Sequence, residues 1–165
     1  MSAPGRPDAH IDATGMKVAI VAASWHERVM TGLLAGARAA ATRAGAQVEE
    51  FMVPGSFELP VVAAECGASG RFHAVVALGA VIRGGTPHFD YVCDAATEGL
   101  TRVALDYRIP VGFGLLTCDD EAQALDRAGL KDSREDKGAE AMISALQTAR
   151  VLAAVRDGGP PEPGA

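Results

Sequence analysis

Hydrophobic positions along this chain fall into two alternating rhythms. Apolar runs occupy residues 17–24 (KVAIVAAS), 73–82 (HAVVALGAVI) and 109–117 (IPVGFGLLT), and a mixed run at 47–53 (QVEEFMV) is closed by Pro54-Gly55. Each predicts a strand. Continuous rather than alternating apolarity in the first, third and fourth further predicts parallel strands covered on both faces. Between them the spacing turns helical. Val29, Leu33, Ala37 and Ala40 form one stripe, and Phe89, Val92, Cys93, Ala96, Leu100, Val103, Ala104 and Tyr107 form another. A last stripe is carried by Met142, Ile143, Leu146, Ala149 and Ala153. Residues 57–68 predict a short helix, and Asp119 or Asp120 can cap one running to about Ala128. Strands alternating with helices through right-handed crossovers predict an α/β protein. The expected architecture is a three-layer α/β/α sandwich around a central, mostly parallel, four-stranded sheet.

Composition bounds this picture. A chain of 165 residues, 48% hydrophobic, is long enough for one real core and short for two. A single domain is expected over 15–156, with loose Pro-, Gly- and Ala-rich tails at 1–14 and 157–165. No apolar run approaches the ~18 residues of a membrane span, and MSAPGRPDAH lacks a signal-peptide core, so a cytoplasmic protein is expected. Cys66, Cys93 and Cys118 are odd in number and far apart, which predicts reduced, mostly buried thiols. A net charge of −6 without a basic run speaks against a general nucleic-acid binder. No His or Cys pair has metal-ligand spacing, and no Ser–His–Asp arrangement can be argued.

In such a sheet, ligands bind beyond the carboxyl ends of the strands. Ser24-Trp25-His26 follows the first strand and Pro54-Gly55-Ser56-Phe57-Glu58 the second. Arg83-Gly84-Gly85-Thr86-Pro87-His88 follows the third, while the fourth contains Phe113 and ends at Thr117. Taken singly, each has a plain structural explanation. Trp25 could edge the core. Ser56 could cap a helix start, with Glu58 in its acidic first turn. Gly84-Gly85-Thr86 could be a turn or an anion site at a helix N-terminus. His88 could be a solvated surface histidine, and RAGLKDSREDK, between Arg127 and Lys137, a solvated charged face.

Taken in order, these segments resemble the lumazine synthase family of riboflavin biosynthesis. The resemblance is carried by Ala23-Ser24-Trp25-His26, by VPGSFELP at 53–60, and by LGAVIRGGTPHFDYVC at 78–93. Asp126-Arg127-Ala128-Gly129 and Asp136-Lys137-Gly138 complete it, and it spans roughly residues 15–155. It implies a flavodoxin-like strand order. It also implies condensation of 5-amino-6-(D-ribitylamino)uracil with 3,4-dihydroxy-2-butanone 4-phosphate to 6,7-dimethyl-8-ribityllumazine, phosphate and water, without cofactor or metal. By the same resemblance Trp25 stacks on the pyrimidine, and Ser56, Phe57 and Glu58 line its ribityl side. Ala80, Val81 and Ile82 offer backbone contacts, Gly85 and Thr86 face the phosphate, and His88 transfers protons. Phe113, Arg127 and Lys137 complete the pocket, with Phe113 and Arg127 coming from a neighbouring subunit of a pentamer. Riboflavin synthase is a further partner the family implies.

That inventory suits the chemistry. A uracil amine is a poor nucleophile, so its orientation against the ketone supplies much of the rate. Imine formation, phosphate elimination and ring closure each move protons, work for which a histidine serves near neutrality. A glycine lets backbone approach phosphate oxygens, and an arginine adds a forked cation. Two features depart from the pattern. Trp25 replaces the more usual phenylalanine. The loop LKDSRED (130–136) is about two residues longer than the compact form, so the reach and role of Lys137 and of nearby Lys131 do not carry over directly. The longer loop also favours free pentamers or pentamer pairs over shells. Two rival readings use the same scaffold: a flavin- or lumazine-binding protein without turnover, and a shell protein. His88 together with Arg127 favours the enzyme.

Overall fold

The computed structural model describes residues 10–159. Four strands, β1 (Lys17–Ala23), β2 (Gln47–Val53), β3 (Ala74–Ile82) and β4 (Val111–Cys118), pair in the order β2-β1-β3-β4. All three pairings are parallel, so the sheet expected to be mostly parallel is wholly so. Helices α1 (Glu27–Ala44), α2 (Leu59–Ala68), α3 (His88–Asp106), α4 (Glu121–Leu125) and α5 (Lys137–Arg156) make the outer layers.

Strand β1 shows how the sandwich is assembled. Val18, Ile20 and Ala22 pack into one core with α1 and α5, while Ala19, Val21 and Ala23 pack into another with α2 and α3. Successive strand residues face opposite layers, so a strand sandwiched on both sides must be apolar throughout. β3 obeys this rule, as does β1 after its first residue, Lys17. β4 obeys it only in part: Leu115 is buried, but Phe113 and Thr117 lie exposed. α5 covers the other face of β4 so closely that a Cβ on Gly112 would stand 2.3 Å from the Ala141 carbonyl oxygen. The face carrying Phe113 is left open at this edge of the sheet.

Other boundaries shift for local reasons. The helix expected from Asp119 or Asp120 is capped by Asp120, whose carboxylate accepts the Gln123 N–H at 2.8 Å. It ends at Leu125, short of Ala128, which instead bridges Asp136 in antiparallel fashion. The segment 57–68 begins as a 3-10 turn, Ser56–Glu58, before α2. Its cap is Gly55 and not Ser56. The loose N-terminal stretch expected over 1–14 does not hold for residues 10–14. Ile11 and Ala13 are buried with α1 and α5, and the Ala13 N–H donates to the Ala44 carbonyl at 2.7 Å. Residues 1–9 and 160–165 of the expected tails lie outside the described residues. The three cysteines are free: Cys66 and Cys118 are buried, Cys93 is half-buried, and burial pushes all three thiols up.

Candidate active site

The carboxyl ends of β1 and β2 are tied together before either chain turns away. The Ser24 hydroxyl donates to the Val53 carbonyl at 2.8 Å, and the Ser24 N–H reaches Pro54 O at 3.4 Å. Trp25 comes next, 68% exposed. His26 then takes a left-handed backbone (φ 62, ψ 58) to start α1. That conformation is rare outside glycine, though histidine is among the residues enriched in it. It turns the chain sharply, leaving the indole at the strand end and outside the core.

On the neighbouring strand end, the Glu58 carboxylate accepts the Gly55 N–H at 2.9 Å and closes the 55–58 turn. Phe57 projects outward, 62% exposed. Ser56 turns inward, at 7% exposure, toward β3. There Gly79 makes room: a Cβ at that position would come within 2.7 Å of the Ser56 hydroxyl oxygen. The glycine of the LGAVI segment thus explains how a serine fits against a fully covered strand.

These pieces enclose a cleft of about 380 Å³ lined by Trp25, Ser56, Phe57, Ala80–Ile82 and His88, with His26, Gly55 and Val92. Apolar walls with a few convergent polar groups are what small-molecule sites present. His88 is the first residue of α3. Gly85 and Thr86, exposed in the preceding loop, stand at the same strand end, and no atom lies within 4 Å of where a Gly85 Cβ would be.

Phe113, Arg127 and Lys137 are not in that cleft. They line a second one, about 500 Å³, along the open edge of β4 with Val111, Glu140 and Ser144. Here the polar groups are already wired to one another. Arg127 Nη1 donates to the Gln123 carbonyl at 2.9 Å. Lys137 Nζ pairs with Glu135 and, at 2.8 Å, with Glu140. Burial opposes the charge on Lys137, but the bonds to Glu135 and Glu140 outweigh it and raise its pKa, while Lys137 in turn lowers that of Glu135. Lys131, also in the longer loop, is exposed and does not line this cleft.

The loop 126–137 holds a defined shape. The Lys137 N–H donates to Arg127 O and the Glu135 N–H to Asp126 O, each at 3.0 Å. Asp126 pairs with Arg134, and Asp136 caps α5 by accepting the Ala139 N–H at 2.9 Å. The loop then presses on α1 at backbone contact. A Cβ on Gly138 would stand 2.0 Å from Leu33 O, one on Gly36 2.1 Å from the Asp136 carboxylate.

Comparison with known proteins speaks to the whole arrangement. The family model described as 6,7-dimethyl-8-ribityllumazine synthase matches residues 15–153. The chain belongs to the 6,7-dimethyl-8-ribityllumazine synthase family. Among its relatives, the protein of that name from Kineococcus radiotolerans is 60% identical over 156 residues, 94% of this chain and 96% of the relative. Those from a Nocardioides species and from Leifsonia xyli subsp. xyli are each 60% identical, covering 92% and 94% of this chain and 95% and 99% of theirs. The resemblance read from the motifs is therefore upheld.

Sequence reasoning passed over three residues that shape this family member's site. Ser24 and Gly79 lay inside quoted motifs, yet their roles depend on residues 29 and 23 positions away from them in sequence, Val53 of β2 and Ser56 of the 3-10 turn. Glu140 carries no motif signal. Its position one helical turn after Lys137 was the available clue.

Proposed function

We propose that this chain makes 6,7-dimethyl-8-ribityllumazine in sites built from two half-sites on different faces of the subunit. As a lumazine synthase it is a transferase of riboflavin biosynthesis. It joins 5-amino-6-(D-ribitylamino)uracil to 3,4-dihydroxy-2-butanone 4-phosphate and releases phosphate and water. In the β1–β3 cleft, Trp25 stacks on the pyrimidine, and the backbone of Ala80, Val81 and Ile82 meets its edge. Ser56, Phe57 and Glu58 line the ribityl chain. Gly85 and Thr86 receive the phosphate, and His88 relays protons as imine formation and ring closure proceed. Phe113, Arg127 and Lys137 arrive from a neighbouring subunit. Arg127 supplies the forked cation for the phosphate, and Lys137, braced by Glu135 and Glu140, sets the field around it.

The observation that carries the shared-site reading is that Trp25, Phe57 and His88 line one cleft and Phe113, Arg127 and Lys137 another, with no lining residue in common. Trp25 and Phe57 on one face and Phe113 on another are exposed aromatics of the kind an interface covers. A ring of five subunits, free or paired, brings the halves together in the cytoplasm, and riboflavin synthase is the proposed user of the product.

Purified protein is mixed with both substrates and followed by lumazine fluorescence. His88→Ala and Arg127→Ala chains are then refolded together. If the halves come from different chains, the mixture turns over faster than either variant alone, because some sites receive two intact halves. A mixture no faster than its components, or an active monomer on a sizing column with light scattering, would refute the shared site.

A further inference from the structure

Arg83 stands inside the long β3 motif, yet it lines neither cleft. Its position is the junction between them. The Arg83 N–H donates to the Cys118 carbonyl at 2.9 Å, extending the β3–β4 ladder by one bond. Its side chain then reaches two carboxylates on different elements. Nε donates to Asp119 at 2.9 Å, just past β4, and Nη1 to Asp90 at 3.3 Å, in the first turn of α3. The guanidinium carbon also lies 4.2 Å from the centre of the Phe89 ring. Arg83 therefore grips the residues immediately after His88.

The start of α3 has need of such a grip. Its N-cap is Pro87, and no side chain caps it. Gly84 and Gly85, just before, have open space where their side chains would be, so packing does not hold the loop. Two glycines in an unpacked loop permit many backbone conformations. The helix end that carries His88 thus follows an unpacked loop, and the Arg83 fork is what holds it.

We propose that Arg83 is a positioning residue for the condensation: by strapping Asp90 and Phe89 of α3 to Asp119 beyond β4, it holds the His88 imidazole at the mouth of the β1–β3 cleft. The inference rests on the reading of His88 as the proton-transfer group. Two carboxylates already compensate the guanidinium, so Arg83 is a poor phosphate ligand. An exposed pair of this kind adds little to global stability. Its effect belongs in turnover.

The test compares Arg83→Ala, His88→Ala and the double variant by steady-state kinetics and thermal unfolding. Arg83→Ala is expected to lower kcat about tenfold, as small misplacements of a catalytic group do, with the KM of each substrate and the unfolding midpoint nearly unchanged. Acting through His88, it adds nothing in the double variant, which turns over like His88→Ala alone. Losses that multiply would overturn the strap while leaving His88 in its role. So would a selective rise in KM for the butanone phosphate, or full activity in Arg83→Ala. Full turnover in His88→Ala would overturn the reading of His88, and the proposal with it. If Arg83→Ala folds poorly, Asp90→Ala removes only the α3 end of the strap. A smaller kcat loss, again absent in the His88→Ala background, is then expected, and a multiplied or absent loss counts against the proposal.

Discussion

The two clefts of this chain are opposites in construction. The one at the ends of β1, β2 and β3 is apolar and made mostly of strand termini, with side chains such as Trp25 and Phe57 facing outward, exposed. The one at the edge of β4 is charged, and its cations are held internally: Arg127 by Gln123, Lys137 by Glu135 and Glu140. The first is shaped by where the sheet stops. The second is shaped by a loop pressed onto α1. An apolar cleft gains from displacing water and tolerates an unpaired wall, whereas a half-buried charge must be braced before any ligand arrives. A site that joins a flat ring to a phosphorylated ketone can use both designs, provided each is kept where its own scaffold suits it.

The sharpest way to break the contrast is to strike one scaffold. Gly138→Ala places a methyl 2.0 Å from Leu33 O, with backbone and not a flexible side chain in the way. The expected cost is about 3 kcal/mol, at the upper end for overpacked sites, read from the urea midpoint at unchanged m-value. Hydrogen exchange is expected to quicken more over 127–137 than over 80–92. An unchanged midpoint would show that α1 and α5 are not locked at this point.

A milder change addresses the apolar cleft. Trp25→Ala is expected to weaken binding of a ribityl-lumazine analogue by ~1–3 kcal/mol, the worth of one stacked ring, without lowering the unfolding midpoint. Wild-type affinity in a titration would mean that Trp25 only edges the cleft.

The smallest effect concerns pH. Lys137 holds the folded pKa of Glu135 below its unfolded value, so that contribution is present above the ordinary carboxylate range and fades as pH falls through it. The pKa of Lys137 is raised, so its contribution is present below the usual lysine range and fades above it. Exchange protection at the Glu135 and Lys137 amides, corrected for intrinsic rates, is therefore expected to be greatest between the two ranges and to fall on acidification. The amides of β3 should not follow. A uniform loss across the sheet would show that the charged edge is not a separate unit.

Much of this was legible in the chain. Strands β1, β3 and β4 announced themselves through continuous apolar runs, because a sheet covered on both faces leaves no polar positions in β3, or in β1 after Lys17. The order of the motif segments located the cleft, since all lie after strands that run the same way. What could not be read was side and spacing. Phe113 sits in a run as apolar as β3's, yet only α5's close approach at Gly112 shows which face of β4 is covered. Ser56 looked like a helix cap because local rules favour that use, and a glycine on another strand drew it inward. Arg83 shares a motif with Asp90, but Asp119, 36 residues away, is brought to it only by the β3–β4 pairing.

The parallel sheet also governs how the molecule comes into being. Lys17 faces Gln47, Val18 faces Ala74 and Val75 faces Val111, so no strand pairs with a neighbour across a short hairpin. Each ladder must close a loop of tens of residues before its first bond repays the entropy lost. The helices gain hydrogen bonds locally and early, while the inner strands β1 and β3 each need a partner on both sides. Until those partners arrive, two strongly apolar segments of the chain are the ones least protected. Slow, concentration-sensitive refolding is the expected consequence of a sheet built only from long-range parallel pairings.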